Sequence, residues 1–198
     1  MKFKDKIRST ILSQTTNDLR VGIELESIIY TKNNTRLQVN SGDCFTATDL
    51  LRKLKDGNDK NGLYSLEPGG QLEWSSPPFK DLNDLQHSLQ SYQKLIDSVL
   101  IDKELKLIDY GLDPIHIPQE VELINQKKYS LMDEYLEKSG TMGKWMMRST
   151  ASIQVNLDTK CDKDMEEIAF ISDCIHPVAS YLFANCPYKE NNRTGRKN

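Results

Sequence analysis

Histidine is scarce in this sequence, with three in 198 residues, and so are tryptophan, with two, and cysteine, with four. His87, His116 and His176 lack the short spacings by which imidazoles share a metal or support a nucleophile. Cys44, Cys161, Cys174 and Cys186 include no C-x-x-C pair, which excludes a zinc knuckle or a thioredoxin-type centre and favours reduced thiols. No apolar run reaches transmembrane length, and MKFKDKIRSTILSQ has no signal-peptide core. One-sided charge is missing as well: 26 basic residues face 29 acidic ones, a net charge of −3, so neither a nucleic-acid footprint nor a charged tail is present. The segment Lys138-Ser139-Gly140-Thr141-Met142-Gly143-Lys144 imitates a phosphate loop. It lacks the first glycine, and Trp145 stands where a hydroxyl must bind metal, so only a flap beside a substrate remains open for it. These absences describe a cytoplasmic chain with no membrane or nucleic-acid partner.

What is present is periodic. Residues 20–30 alternate as a strand, 31–43 suit a loop and 46–56 a short helix. In 63–78 two short strands flank Pro68-Gly69-Gly70, a turn signal. Asp81 is placed to cap a helix whose Leu82, Leu85, Leu89, Tyr92, Ile96 and Val99 form one stripe. A strand over 104–112, a loop over 113–127 with Pro114 and Pro118, a helix near 128–138, a strand over 149–157 and a helix over 163–184 kinked at Pro177 complete the order. The hairpin and alternating strands predict an α+β fold with an open, mostly antiparallel sheet and helices on one face.

Side-chain parity adds chemistry. Gly22, Glu24 and Glu26 share one face of the first strand, and Val21, Ile23 and Leu25 the other. Gln71, Glu73 and Ser75 oppose Leu72 and Trp74; Ser152, Gln154 and Asn156 oppose Ile153, Val155 and Leu157. Three separate strands thus each have an apolar face and a face of carboxylates and amides, and Glu67 is positioned to join the latter. Clustered carboxylates repel unless a cation balances them. Oxygen ligands on a rigid sheet suit Mg²⁺, which in turn binds phosphate oxygens, and Gly69 and Gly70 would let backbone approach a ligand. Alternation alone favours the plainer reading of a sheet face turned to water, since half-solvated antiparallel sheets are common.

At these same residues the chain resembles a known family, the glutamate–cysteine ligases of plant and proteobacterial type. VGIELE resembles the family's Gly-x-Glu-x-Glu strand, and SLEPGGQLEWSSPP its Ser-Leu-Glu-Pro-Gly-Gly-Gln-x-Glu segment. YSLMDEYLEKSGTMGKWMMRSTASIQVNLD follows its helix, glycine loop and Gln-Val-Asn-Leu-Asp strand, and YLFANCP its Leu-Phe-Ala-Asn-x-Pro. The resemblance is in order, spans about residues 20–190, and is most specific at Glu-Pro-Gly-Gly-Gln. It implies a glutamine-synthetase-like half-barrel, a curved antiparallel sheet with helices on its convex face, incomplete in this chain. Residues 1–19 would be a lead-in, 20–190 the N-terminal part of the catalytic domain, and 191–198 a polar end where truncation falls.

The implied activity is Mg²⁺-dependent ligation of the glutamate γ-carboxylate to cysteine with ATP as co-substrate, giving γ-glutamylcysteine, the first step of glutathione biosynthesis. By the same resemblance Glu24, Glu26 and Glu73 are catalytic, and with Glu67 they hold Mg²⁺. Glu67, Gly69, Gly70, Gln71, Arg148, Gln154 and Asn156 bind substrate or nucleotide. One departure stands out: the family has Arg where Ser149 stands, with Arg148 next to it, and strand parity would turn these neighbours to opposite faces. The family's further residues lie beyond this stretch, which leaves its activity in isolation open. Two alternatives remain at this stage: another carboxylate–amine ligase of the same fold, and a non-catalytic half-domain that binds a metabolite or partner.

Overall fold

The structure is a computed structural model that describes residues 3–12, 15–40, 42, 44–57, 60–140 and 142–194. The lead-in carries a helix, α1 (Phe3–Leu12). The organising element is β1 (Val21–Thr31), eleven residues long. Further along come α2 (Ala47–Asp56), β2 (Leu63–Leu66), β3 (Leu72–Ser75), α3 (Leu82–Asp102) and β4 (Leu105–Ile108), each within a few residues of its predicted position.

All pairings in the main sheet are antiparallel, in the order β2-β3-β1-β4. A fifth strand, β5 (Ile153–Leu157), pairs with residues 21–25 of β1, whereas β4 pairs with residues 28–31. The sheet stays open rather than closing into a barrel. The Glu67-Pro68-Gly69-Gly70 turn between β2 and β3 closes through Gly70 N–H to the Glu67 carbonyl at 2.8 Å and Glu67 N–H to the Gln71 carbonyl at 2.9 Å. Gly70 sits at φ +78°, a backbone conformation that glycine adopts without strain.

The core lies on one side of this sheet. Ile29, Tyr64, Leu72 and Trp74 meet Ala47, Leu50 and Leu54 of α2 and Tyr92, Ile96 and Val99 of α3, with Ile23 and Leu25 packed at the margin. Trp74 stacks on Tyr92 at 4.6 Å between ring centroids and 11° between planes, and its indole N–H donates to the Asn61 carbonyl at 2.7 Å. Both helices start where their caps predict. Thr46 and Asp49 form a reciprocal capping box, and Asp81 accepts from Asn83 N–H. The expected stripe on α3 is buried at Leu85, Tyr92, Ile96 and Val99; Leu82, in the first turn, is exposed.

Three expectations need correction. The strand predicted over 149–157 begins only at Ile153. Residues Gly143–Ser149 instead form a helix, α5, after α4 (Lys127–Ser139). GKWMMRS has no two-residue alternation and is rich in residues that keep rotamer freedom in a helix, so the local preference is helical. The strand-parity argument about Arg148 and Ser149 therefore lapses. Secondly, α6 (Asp162–Leu182) has no buried residue, and Ile153, Val155 and Leu157 are exposed, so the helical layer covers β1 to β4 and leaves the apolar side of β5 bare. Thirdly, the polar end contains a two-stranded hairpin, β6 (Tyr188–Lys189) with β7 (Asn192–Arg193); residues 195–198 lie outside the described residues, as does Thr141 of the phosphate-loop mimic.

Candidate functional site

Strand register decides which side chains meet. Glu24 stands opposite both Ser75 of β3 and Gln154 of β5, Glu26 opposite Glu73, and Ser65 of β2 opposite Glu73. Directly paired residues share a sheet face, so Ser65, Glu73, Ser75, Glu24, Glu26 and Gln154 all lie on the side away from α2 and α3. Gly22 lies opposite Asn156 on that same side. Among the described residues, one set of three acidic groups comes close enough to share an ion: Glu26, Glu67 and Glu73 each offer an oxygen within 4.8 Å of the others, all three half-buried. Glu67 reaches the set from the Pro-Gly-Gly turn.

The carboxylates are held rather than loose. The Glu73 Oε1 accepts from Ser65 Oγ at 2.7 Å and from Ser75 Oγ at 3.2 Å. Glu26 accepts from Ser152 N–H on Oε2 and from Gln154 Nε2 on Oε1, both at 3.0 Å. Glu24 stands outside the close trio, and its Oε1 accepts from Asn156 Nδ2 at 2.9 Å. Gln154 and Asn156 thus act on carboxylates in this structure.

Crowding has an electrostatic cost. Burial first, and then the neighbouring charges of Glu26 and Glu73, push the Glu67 carboxyl up to about 7. Burial also raises Glu26, against hydrogen bonds from Ser152 that pull it down and the charge of Glu73 that adds to the rise. A divalent cation between the three oxygens would remove that repulsion, and an all-carboxylate donor set fits a hard ion of the Mg²⁺ type.

The remaining predicted site residues make contacts with the scaffold in this structure. A methyl at Gly69 would lie 2.5 Å from the Arg148 carbonyl oxygen, and one at Gly70 2.5 Å from Val39 Cγ2, so both glycines let neighbouring protein approach closely. Gln71 is buried, with its Nε2 donating to the Thr150 carbonyl at 2.9 Å. The Arg148 guanidinium is held by Asp133 at 2.6 Å and by the Val121 carbonyl at 3.0 Å. In all four, parity or resemblance pointed outward while tertiary packing turned the group to the loop and helix crossing behind the turn.

That crossing rests on a buried ion pair absent from the sequence reading. Arg36 Nη1 donates to Asp113 Oδ2 at 2.7 Å, and its Nη2 reaches the carbonyls of Gly69 and Arg148 at 3.2 and 3.1 Å. Asp113 also accepts from Tyr30 and from the backbone N–H groups of Ile115 and His116. Burial alone would raise Asp113, yet these donors outweigh it and hold the carboxyl below its usual range. His116, one of the three histidines, stacks edge-on against Tyr30 in this network. No periodic signal links residues 77 positions apart, which is why sequence reading missed the pair.

Against this geometry, the description "Glutamate-cysteine ligase family 2" matches residues 20–197. The chloroplastic glutamate–cysteine ligase of Arabidopsis thaliana is 31% identical over 147 residues, covering 74% of this chain and 28% of that protein. The chloroplastic glutamate–cysteine ligase A of Oryza sativa subsp. indica is 30% identical, covering 72% and 28%, and the Brassica juncea enzyme 30%, covering 74% and 28%. The chain therefore spans a little over a quarter of the length of these relatives. Among solved structures, a bifunctional glutathione synthetase from Pasteurella multocida aligns over 87% of this chain and 21% of its own, with a TM-score of 0.44 and 12% identity, a likeness that carries no argument. The cytoplasmic reading is overturned, because these relatives are chloroplastic by name and the want of an export signal does not identify a compartment. Since the match runs through every strand of both sheets, the chain belongs to the glutamate-cysteine ligase family 2.

Proposed function

We propose that residues 20–190 form the N-terminal part of a catalytic domain that ligates the γ-carboxylate of glutamate to cysteine with ATP and Mg²⁺, residues 1–19 leading in and 191–198 trailing out. Family membership supports the reaction class, and the open antiparallel sheet backed by α2 and α3 is compatible with a glutamine-synthetase-like half-barrel. The observation that carries the reading is the convergence of Glu26, Glu67 and Glu73 within 4.8 Å on the sheet face opposite the helices. Bound there, Mg²⁺ would supply positive charge for phosphoryl oxygens. The protein's task is positioning, which dominates phosphoryl transfer. Glu26, Glu67 and Glu73 hold the ion, while Glu24 extends the acidic face under the restraint of Asn156, and Gln154 restrains Glu26. Glutamate, cysteine and ATP are the small-molecule partners.

The test follows ADP release from MgATP with glutamate and a panel of amines. Release that requires both glutamate and cysteine, with γ-glutamylcysteine as product, is the expected result. Release with a different amine would reassign the acceptor within the same reaction class. Metabolite binding without any ADP would favour the alternative of a non-catalytic half-domain.

A further inference from the structure

Glu73 differs from its two neighbours in how it is held. Glu26 accepts hydrogen bonds on both of its oxygens, from Ser152 N–H on Oε2 and from Gln154 Nε2 on Oε1. On Glu73 both donors, Ser65 Oγ at 2.7 Å and Ser75 Oγ at 3.2 Å, converge on Oε1 alone. The two serines reach it from different places: Ser65 lies directly across the β2–β3 ladder from Glu73, and Ser75 two residues along the same strand on the same face. A free glutamate side chain samples several rotamers, and ordering it on metal binding costs conformational entropy. Two hydroxyls fixed by the backbone of two paired strands remove most of that freedom beforehand. With both hydroxyl protons on Oε1, neither serine occupies the second oxygen; the Glu67 carboxyl also hydrogen-bonds to Glu73, a contact that a divalent cation between the two would replace.

We propose that Ser65 and Ser75 are positioning residues of this site, a two-hydroxyl clamp that holds the Glu73 carboxylate by one oxygen and leaves the other for the divalent cation. The inference rests on the carboxylate trio as a cation site. It also explains a feature that residue parity left unused: β2 is an edge strand with Leu63 exposed, yet its Ser65 aims at the acidic face. Because the two hydroxyls share one acceptor, each covers for the loss of the other. Their contribution is therefore not additive, and the double substitution is expected to exceed the sum of the singles.

Mn²⁺ reports on such a site through loss of its free-ion electron paramagnetic resonance signal. With the whole 198-residue chain, Ser65→Ala and Ser75→Ala are each expected to weaken Mn²⁺ binding less than about 3-fold, and the double variant at least about 10-fold, the range seen when groups orienting metal ligands are removed. Ser65→Thr in the Ser75→Ala background should restore affinity to the single-variant level, since it returns the hydroxyl. Thermal midpoints of all these variants should stay together, because Ser65 is exposed and Ser75 half-buried. If wild type binds and Glu73→Gln does not, but the double serine variant binds as wild type, the clamp is overturned and the cation site stands. If Glu73→Gln binds as well as wild type, or wild type does not bind, the cation site falls and the clamp with it.

Discussion

Glu67 sets the pH behaviour of the sheet face. Its carboxyl, ordinarily near 4.5, rises to about 7 through burial and the charges of Glu26 and Glu73. A carboxyl that holds its proton more tightly when folded stabilises the fold fully below its unfolded pKa, and that contribution is lost as pH rises through the folded value. The metal-free chain is therefore expected to lose thermal stability from Glu67 between pH 4.5 and about 7. Saturating Mg²⁺ should recover it, increasingly so toward neutral pH. Glu67→Gln should flatten the slope, which melting curves at closely spaced pH values would show; an unchanged slope would detach Glu67 from the cluster. Asp113 runs the other way. Its lowered carboxyl supports the fold above the usual aspartate range, and that support is lost as acid protonates it.

At the scale of elements, the β2–β3 turn, the loop around Arg36 and the end of α5 are joined by one buried charge. Arg36 and Asp113 are almost wholly inaccessible, with side-chain exposures of 6% and 0%. Removing one partner leaves the other charge without compensation, so Asp113→Ala should cost about 3–5 kcal/mol in denaturant unfolding. Because Arg36 also ties Gly69 to Arg148, the same variant should weaken Mn²⁺ binding through Glu67 in the adjoining turn. Gly70→Ala meets two obstacles, the positive φ and Val39 Cγ2 at 2.5 Å, and should cost about 1–3 kcal/mol. Most elements were legible beforehand because each carries a local signature: alternation in β1, a cap and stripe for α3, Pro-Gly-Gly for the turn. Helix α5 was not, since it adjoins a truly alternating strand and its seven residues are too few to display a helical period of their own.

Over the whole molecule, burial is lopsided. Trp74 and Ile29 are sealed between sheet and helices, whereas Phe170, Ile175, Val178 and Phe183 are between 55% and 82% exposed. Trp74→Ala should therefore cost about 3–5 kcal/mol, because it leaves a large cavity against Tyr92. Ile175→Ser and Val178→Ser together should change the unfolding free energy of the chain by less than about 1 kcal/mol. Equal losses from the two sets would mean that α6 is packed in solution.

The sequence by itself determined the alternation that sends Glu24, Glu26 and Glu73 to one side and Leu25, Leu72 and Trp74 to the other, since successive strand residues must face opposite ways. It also carried the segments by which family membership is recognised. Only the tertiary structure decided which of those polar groups meet. The register across β1 put Glu26 beside Glu73 and Ser65 beneath it, left Glu24 to Asn156, and turned Gln71 and Arg148 inward. Register and long-range ion pairs arise from which strands lie adjacent and what packs behind them, and no local pattern of residues encodes either.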